Sequence, residues 1–166
     1  MSSYGAKFEK QFCDLRVKAS SLIEIDFARE EINKSIDEWP VKFGETILRT
    51  ATGDLEEFGL KSRHLELLLN IPNIVEHIPA SNLVGRVISA YTKQILGISG
   101  HAAKIERSFG GDLVHALYLP HVDLWRGDRR FAEIVRNSVP HYAARVVPTP
   151  SSLLAAIDRQ LMEKLK

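Results

Sequence analysis

The sequence predicts an α/β domain with a helix-rich N-terminal half, and three observations lead there. Apolar residues recur at three- and four-residue steps over much of residues 1–100, the period of amphipathic helix. Beyond Gly110 the pattern changes to helix, strand, helix, strand, helix in quick succession, the alternation of an α/β layer architecture. The chain has 166 residues with 45% hydrophobic content, enough for one well-filled core and too few for two. A single domain over 1–166 is therefore expected, mainly helical over 1–100 and α/β over 110–166.

Between Lys7 and Asp37 the residues Phe8, Phe12, Leu15, Ala19, Leu22, Ile23, Phe27, Ile32 and Ile36 carry the helical period, which predicts one or two helices. The stretch Leu22–Asp26 alternates enough to read also as a short strand. Pro40 marks a break, because proline donates no backbone hydrogen bond and restricts the residue before it. A helix follows from Val41 to about Arg49, interrupted by the turn-forming run Thr50–Asp54. Leu60 to Leu69 reads helical again, and Asn73 to Ile78, bracketed by Pro72 and Pro79, reads as one extended element. Ser81 is a candidate N-cap for a longer helix that places Leu83, Val84, Val87, Ile88, Tyr91, Ile95 and Leu96 on one face and ends at Gly97 and Gly100. Then come a short helix from Asp112 to Leu119 stopped by Pro120, a strand from His121 to Trp125, a helix from Arg129 to Val135 and a second strand from Arg145 to Val147. A closing helix, capped by Ser151, turns Leu153, Leu154, Ile157 and Leu161 inward.

Charge excludes some classes. The 22 basic and 21 acidic side chains nearly cancel, so there is no global field of the kind that histone-like or membrane-surface proteins carry. Any nucleic-acid contact has to come from a local basic patch. The one cysteine, Cys13, offers neither a disulfide partner nor zinc-ligand spacing and reads as a small buried residue of a reducing cytoplasm. No stretch approaches the ~20 apolar residues of a membrane span, and Lys7, Glu9 and Lys10 occupy positions where a signal peptide would be apolar. A soluble, unprocessed cytoplasmic protein with no membrane partner is expected. Phosphate-binding glycine loops, Ser/His/Asp triads and dinucleotide fingerprints are missing in usable form.

The residues that suggest chemistry are acidic. Functional groups of parallel sheets gather beyond the carboxyl ends of strands, and Asp128 follows the strand that ends near Trp125. Asp112 opens the preceding helix, where a carboxylate is also welcome for structural reasons alone. Two carboxylates brought to one point repel, and a hard cation such as Mg2+ or Mn2+ relieves the repulsion by accepting oxygen ligands while keeping waters. Around them, His115 lies one turn after Asp112, and Arg126, Arg129 and Arg130 form a basic cluster suited to phosphate. Each has a structural alternative: a packed histidine, and a solvated helix face that neutralises nearby acids. Asp123 is either an orienting group or an exposed strand-end carboxylate. Arg126-Gly127-Asp128 matches an integrin-binding tripeptide by chance.

The run Gly111-Asp112-Leu113-Val114-His115-Ala116-Leu117-Tyr118-Leu119-Pro120-His121-Val122-Asp123-Leu124-Trp125-Arg126-Gly127-Asp128-Arg129-Arg130-Phe131 resembles the C-terminal signature of PIN-like domains. Val146-Val147-Pro148-Thr149-Pro150 matches their last strand and the start of the helix after it. The resemblance spans about fifty residues. It implies an αβα sandwich with a short parallel sheet, Mg2+- or Mn2+-dependent cleavage of RNA, and metal ligands at Asp112 and Asp128. His115, Arg126, Arg129 and Arg130 would then contact RNA. Many such proteins are the toxins of toxin–antitoxin systems, so an antitoxin partner is also implied.

One part of that pattern is missing. PIN-like domains open with a strand ending in the first metal-binding aspartate, and the first twenty residues hold none. Either Leu22–Asp26 is a displaced version with Asp26 as the missing ligand, or the strand is absent through a truncated reading frame or a divided gene. In the latter case Glu24 or Glu31 stands where the second acid would be. The expectation is therefore a metal-dependent ribonuclease or, alternatively, an inactive PIN-like interaction module or oligomer subunit whose exposed sheet edge another chain covers. A helical regulator, with the α/β half as ballast, is a third option.

Overall fold

The computed structural model describes residues 2–46, 66–67, 70–71, 74, 78–98 and 100–164. Helix α1 (Ser2–Ile23) is followed, after a turn at Glu24 and Ile25, by α2 (Asp26–Asp37). Leu22–Asp26 is thus a helix–helix corner and not a strand. Glu38 ends α2, and residues 39–46 are helical again. Pro40 sits near the start of that run, where its missing N–H lacks a helical partner in any case. Most residues of the elements expected at 47–77 lie outside the described set. Of the others, Glu66 and Leu67 are helical, as the Leu60–Leu69 reading expects, and Ile74 is in a 3-10 turn.

Helix α3 (Pro79–Leu96) runs through the middle of the core. Leu83, Val84, Val87, Tyr91, Ile95 and Leu96 are buried on it, and it packs on α1, α2 and the two helices that follow. Gly97 ends it in the left-handed conformation, at φ 72°. Its start differs from expectation. Ile78 is the N-cap and Pro79 the first helical residue, so Ser81 falls inside the first turn, buried and with its hydroxyl unpartnered. Proline is favoured at the first helical position because its φ is preset and no donor is wasted. That preference moves the helix start upstream of Ser81.

Helix α4 (Phe109–Ala116) is followed by a 3-10 turn at Leu119–His121, strand β1 (Trp125–Arg126) and α5 (Arg129–Ser138). A 3-10 segment at Pro140–Arg145, strand β2 (Val146–Val147) and α6 (Pro150–Lys164) complete the chain. β1 and β2 pair in parallel, Trp125 opposite Val146 and Arg126 opposite Val147. An aromatic cluster fastens this half to α3. The Tyr91 and Phe109 rings stack with centroids 3.7 Å apart, Phe12 of α1 meets both edge-on, and Phe131 lies 5.7 Å from Phe109.

The expected αβα sandwich is not what forms. The described residues are mostly helical, and their sheet is one pair of two-residue strands. The reasons are local. Pro120 sets a 3-10 turn over Leu119–His121, so the expected strand 121–125 loses His121 and pairs only at Trp125. Pro148, which has no N–H to give a ladder, stops β2 after Val147. The other strand candidate, Leu22–Asp26, joins two helices, so among the described residues nothing widens the sheet.

Three smaller expectations fail as well. α6 is capped by Thr149, whose Oγ1 accepts from Ser152 N at 3.1 Å, and not by Ser151. Its supposed inner face is largely outside: Leu153 is half-buried, but Leu154 is 66%, Ile157 38% and Leu161 55% exposed. Cys13, expected inside, is exposed. Among the described residues no helix is long and apolar enough to cross a membrane.

Candidate functional site

Asp112 is placed by its helix. α4 begins at Phe109, upstream of the predicted start, because that ring is taken into the aromatic core against Tyr91. Asp112 therefore lies within the first turn, with its N–H on the Ser108 carbonyl at 3.0 Å and its side chain half-buried. Its Oδ2 is shielded from solvent and has no hydrogen-bond partner. Burial pushes the Asp112 carboxyl above the usual aspartate range. The Ser108 hydroxyl opposes this by hydrogen bonding, Asp128 and Glu106 add to it by repulsion, and His115 pulls the other way. A shielded carboxylate oxygen without a partner is completed by a proton, a water or a cation.

Asp128 is exposed just past the carboxyl end of β1, where parallel-strand geometry puts functional groups. It is also the N-cap of α5. Its backbone is extended, and its Oδ1 accepts from Phe131 N at 2.9 Å, satisfying one of the free donors of the first turn. The glycine before it is required by packing: a Cβ on Gly127 would stand 2.4 Å from the Trp125 ring. Arg-Gly-Asp is thus a strand end, a ring contact and a helix cap.

His115 and Trp125 join the two halves of the site. The Trp125 indole Nε1 donates to the His115 carbonyl at 3.1 Å, and the two rings are 5.4 Å apart. The His115 side chain is exposed, as is Arg126. Arg129 is exposed and reaches Glu133 at 3.7 Å, an ordinary solvated helix pair. Arg130 is different. It pairs with the Glu106 carboxylate and donates from Nη2 to the Lys104 carbonyl at 3.1 Å. Glu106 is the residue that sequence reasoning missed. It sits in an irregular stretch with no periodicity, and its partners Tyr91 and Arg130 are distant in the chain.

Asp26, the proposed third ligand, opens α2 and turns its almost fully exposed side chain to Arg29 at 3.7 Å. Among the described residues no three His, Cys, Asp or Glu side chains gather where they could hold a metal. Asp112 and Asp128 are linked by repulsion, through which Asp128 helps to raise the Asp112 pKa. Both are hard oxygen donors of the kind Mg2+ and Mn2+ take, and one Asp112 oxygen is unpartnered. Asp123 presents its carbonyl to Gln160 Nε2 at 3.4 Å, which ties the segment before β1 to α6.

No protein-family model, curated protein or solved structure matches this chain significantly.

Proposed function

We propose that this chain is a PIN-like ribonuclease dependent on Mg2+ or Mn2+, with Asp112 and Asp128 as the ion's protein ligands. The observation that carries the reading is the shielded, unpartnered Oδ2 of Asp112, whose pKa is raised in part by Asp128. An ion bound there would make a coordinated water more acidic and offset charge on phosphodiester oxygens. Below its raised pKa, Asp112 holds a proton; above it, the carboxylate offers both oxygens as ligands. Arg126 and Arg129, both exposed, flank Asp128 and supply fork-shaped donors for phosphate. His115, exposed one turn past Asp112, is available to the same RNA strand. The test is Mn2+-dependent cleavage of RNA by the wild type and by Asp112→Asn and Asp128→Asn. Both substitutions should abolish cleavage with the circular-dichroism spectrum unchanged, and activity surviving both sinks the reading.

A second reading, an inactive PIN-like interaction module or oligomer subunit, is favoured by one feature. A 300 Å³ cleft lined by Phe43, Ile78, Val84, Leu113, Val114 and Leu117 lies beside α4, with Val114 61% exposed. Light scattering combined with metal titration separates the two, because a metal-indifferent obligate oligomer favours the module.

A further inference from the structure

We infer that Arg130 is a positioning residue that holds the two carboxylates of the site in fixed relation and does not contact RNA. The inference rests on the reading that Asp112 and Asp128 share an ion. It starts from where the Arg130 donors go. Arg130 lies in the first turn of α5, two residues after Asp128. One guanidinium nitrogen, Nη1, pairs with Glu106, and the other, Nη2, is committed to the Lys104 carbonyl. The side chains of the pair are 34% and 29% exposed, whereas that of neighbouring Arg129 is 83% exposed. Both terminal nitrogens that would grip a phosphate already donate to protein.

Its target is the stretch that delivers α4. The Glu106 N–H donates to the Tyr91 hydroxyl at 2.7 Å, and the Tyr91 ring stacks on Phe109, the first residue of α4. On the other side, Phe131 follows Arg130, gives its N–H to Asp128 and sets its ring against Phe109. The contacts form a closed circuit: Asp128, the α5 first turn, Arg130, Glu106, Tyr91, Phe109 and the α4 first turn that carries Asp112. Cutting it at Arg130 leaves Glu106 half-buried without its counter-charge and frees residues 104–108 to shift. The Asp112 first turn hangs on that stretch through Ser108. Lysine cannot replace the fork, because a single ammonium does not span a carboxylate and a carbonyl with the same rigid geometry.

The experiment compares wild type, Arg130→Met, Arg130→Lys and Glu106→Gln in two measurements. In metal-free protein, amide hydrogen exchange is followed at Glu106 and Phe131. Mn2+ affinity is then measured by electron paramagnetic resonance of the free ion. Arg130→Met and Glu106→Gln should each speed exchange at both amides and weaken Mn2+ binding, by less than the roughly tenfold to hundredfold lost when a direct partner of a metal ligand is removed, because both act through the backbone. Arg130→Lys should recover only part of this. The double variant should be no worse than the poorer single one, because both cut the same circuit. Glu106→Gln, the milder change, keeps the test usable if Arg130→Met fails to fold. Unchanged exchange in Glu106→Gln, or unchanged Mn2+ affinity in variants whose exchange has sped up, overturns the inference. A wild type that binds no Mn2+ removes the shared-ion reading and with it any positioning for a metal.

Discussion

Replacing Asp128 separates its two roles, because asparagine and alanine remove different things. As N-cap, Asp128 satisfies the Phe131 N–H through Oδ1 at 2.9 Å. Asparagine caps about as well as aspartate, whereas alanine leaves that donor open at a cost of about 0.5–2 kcal/mol. Losing the charge also forfeits ~0.3–1 kcal/mol of interaction with the helix dipole, but it relieves the repulsion that Asp128 exerts on Asp112. Asp128→Asn should therefore stay within about 0.5 kcal/mol of wild type. Asp128→Ala should fall by about 1 kcal/mol, equivalent to roughly 2–4 °C in Tm at this size. Both should bind Mn2+ far more weakly than wild type, since neither retains a carboxylate. Thermal denaturation followed by circular dichroism, paired with Mn2+ titration, gives both quantities. Equal destabilisation by asparagine and alanine would refute the capping argument, and wild-type Mn2+ affinity in the asparagine variant would refute the ligand argument.

Three further outcomes follow from the packing and the charges. Gly85→Ala, a change that usually strengthens a helix by ~1 kcal/mol, should instead destabilise by about 1–3 kcal/mol. The new Cβ would lie 2.6 Å from the Pro40 Cα, backbone that cannot step aside; a rise in Tm would show that α3 and residues 39–46 do not cross there. Asp112 has a raised folded-state pKa, so its stabilising contribution is fully present below the ordinary value of about 3.9 and is lost as pH rises through the folded value. Urea denaturation should therefore show wild type losing stability relative to Asp112→Asn across that window, and a relative gain would contradict the burial of Asp112. Leu154→Lys on the exposed side of α6 should change stability by no more than about 0.5 kcal/mol, against about 2–5 kcal/mol for Leu83→Ala in the core. A large loss at Leu154 would return that residue to an inner face.

Much of the local structure was legible in the residues. The buried stripe of α3 was readable from Leu83 to Leu96 because a helix repeats its neighbours every three to four residues, so a single periodic face suffices to name it. Helix before Pro40 was readable for the same reason, but its division into two at Glu24 and Ile25 was not. Asp112 and Asp128 were picked out as residues, but the burial that distinguishes Asp112 was not. It depends on Phe109 entering the aromatic cluster, a contact with residues far away in the chain. α6 exposes the limit of periodicity most clearly: Leu153, Leu154, Ile157 and Leu161 share an amphipathic pattern, yet only Leu153 among them is half-buried, because β2 is too short to cover more of the helix.

By itself the sequence determined the helical period of the N-terminal half, the helix end at Gly97, and the choice of Asp112 and Asp128 as the acidic residues to weigh. The first two are local, set by a repeat of a few residues and by dihedral freedom. Only the tertiary structure decided that the sheet stops at two strands, that Arg130 is spent on Glu106 and Lys104, that Asp26 stands apart, and that one Asp112 oxygen is shielded without a partner. Those outcomes depend on which side chains meet across long stretches of chain. Packing and desolvation choose among such meetings, and neither leaves a period in the sequence to read.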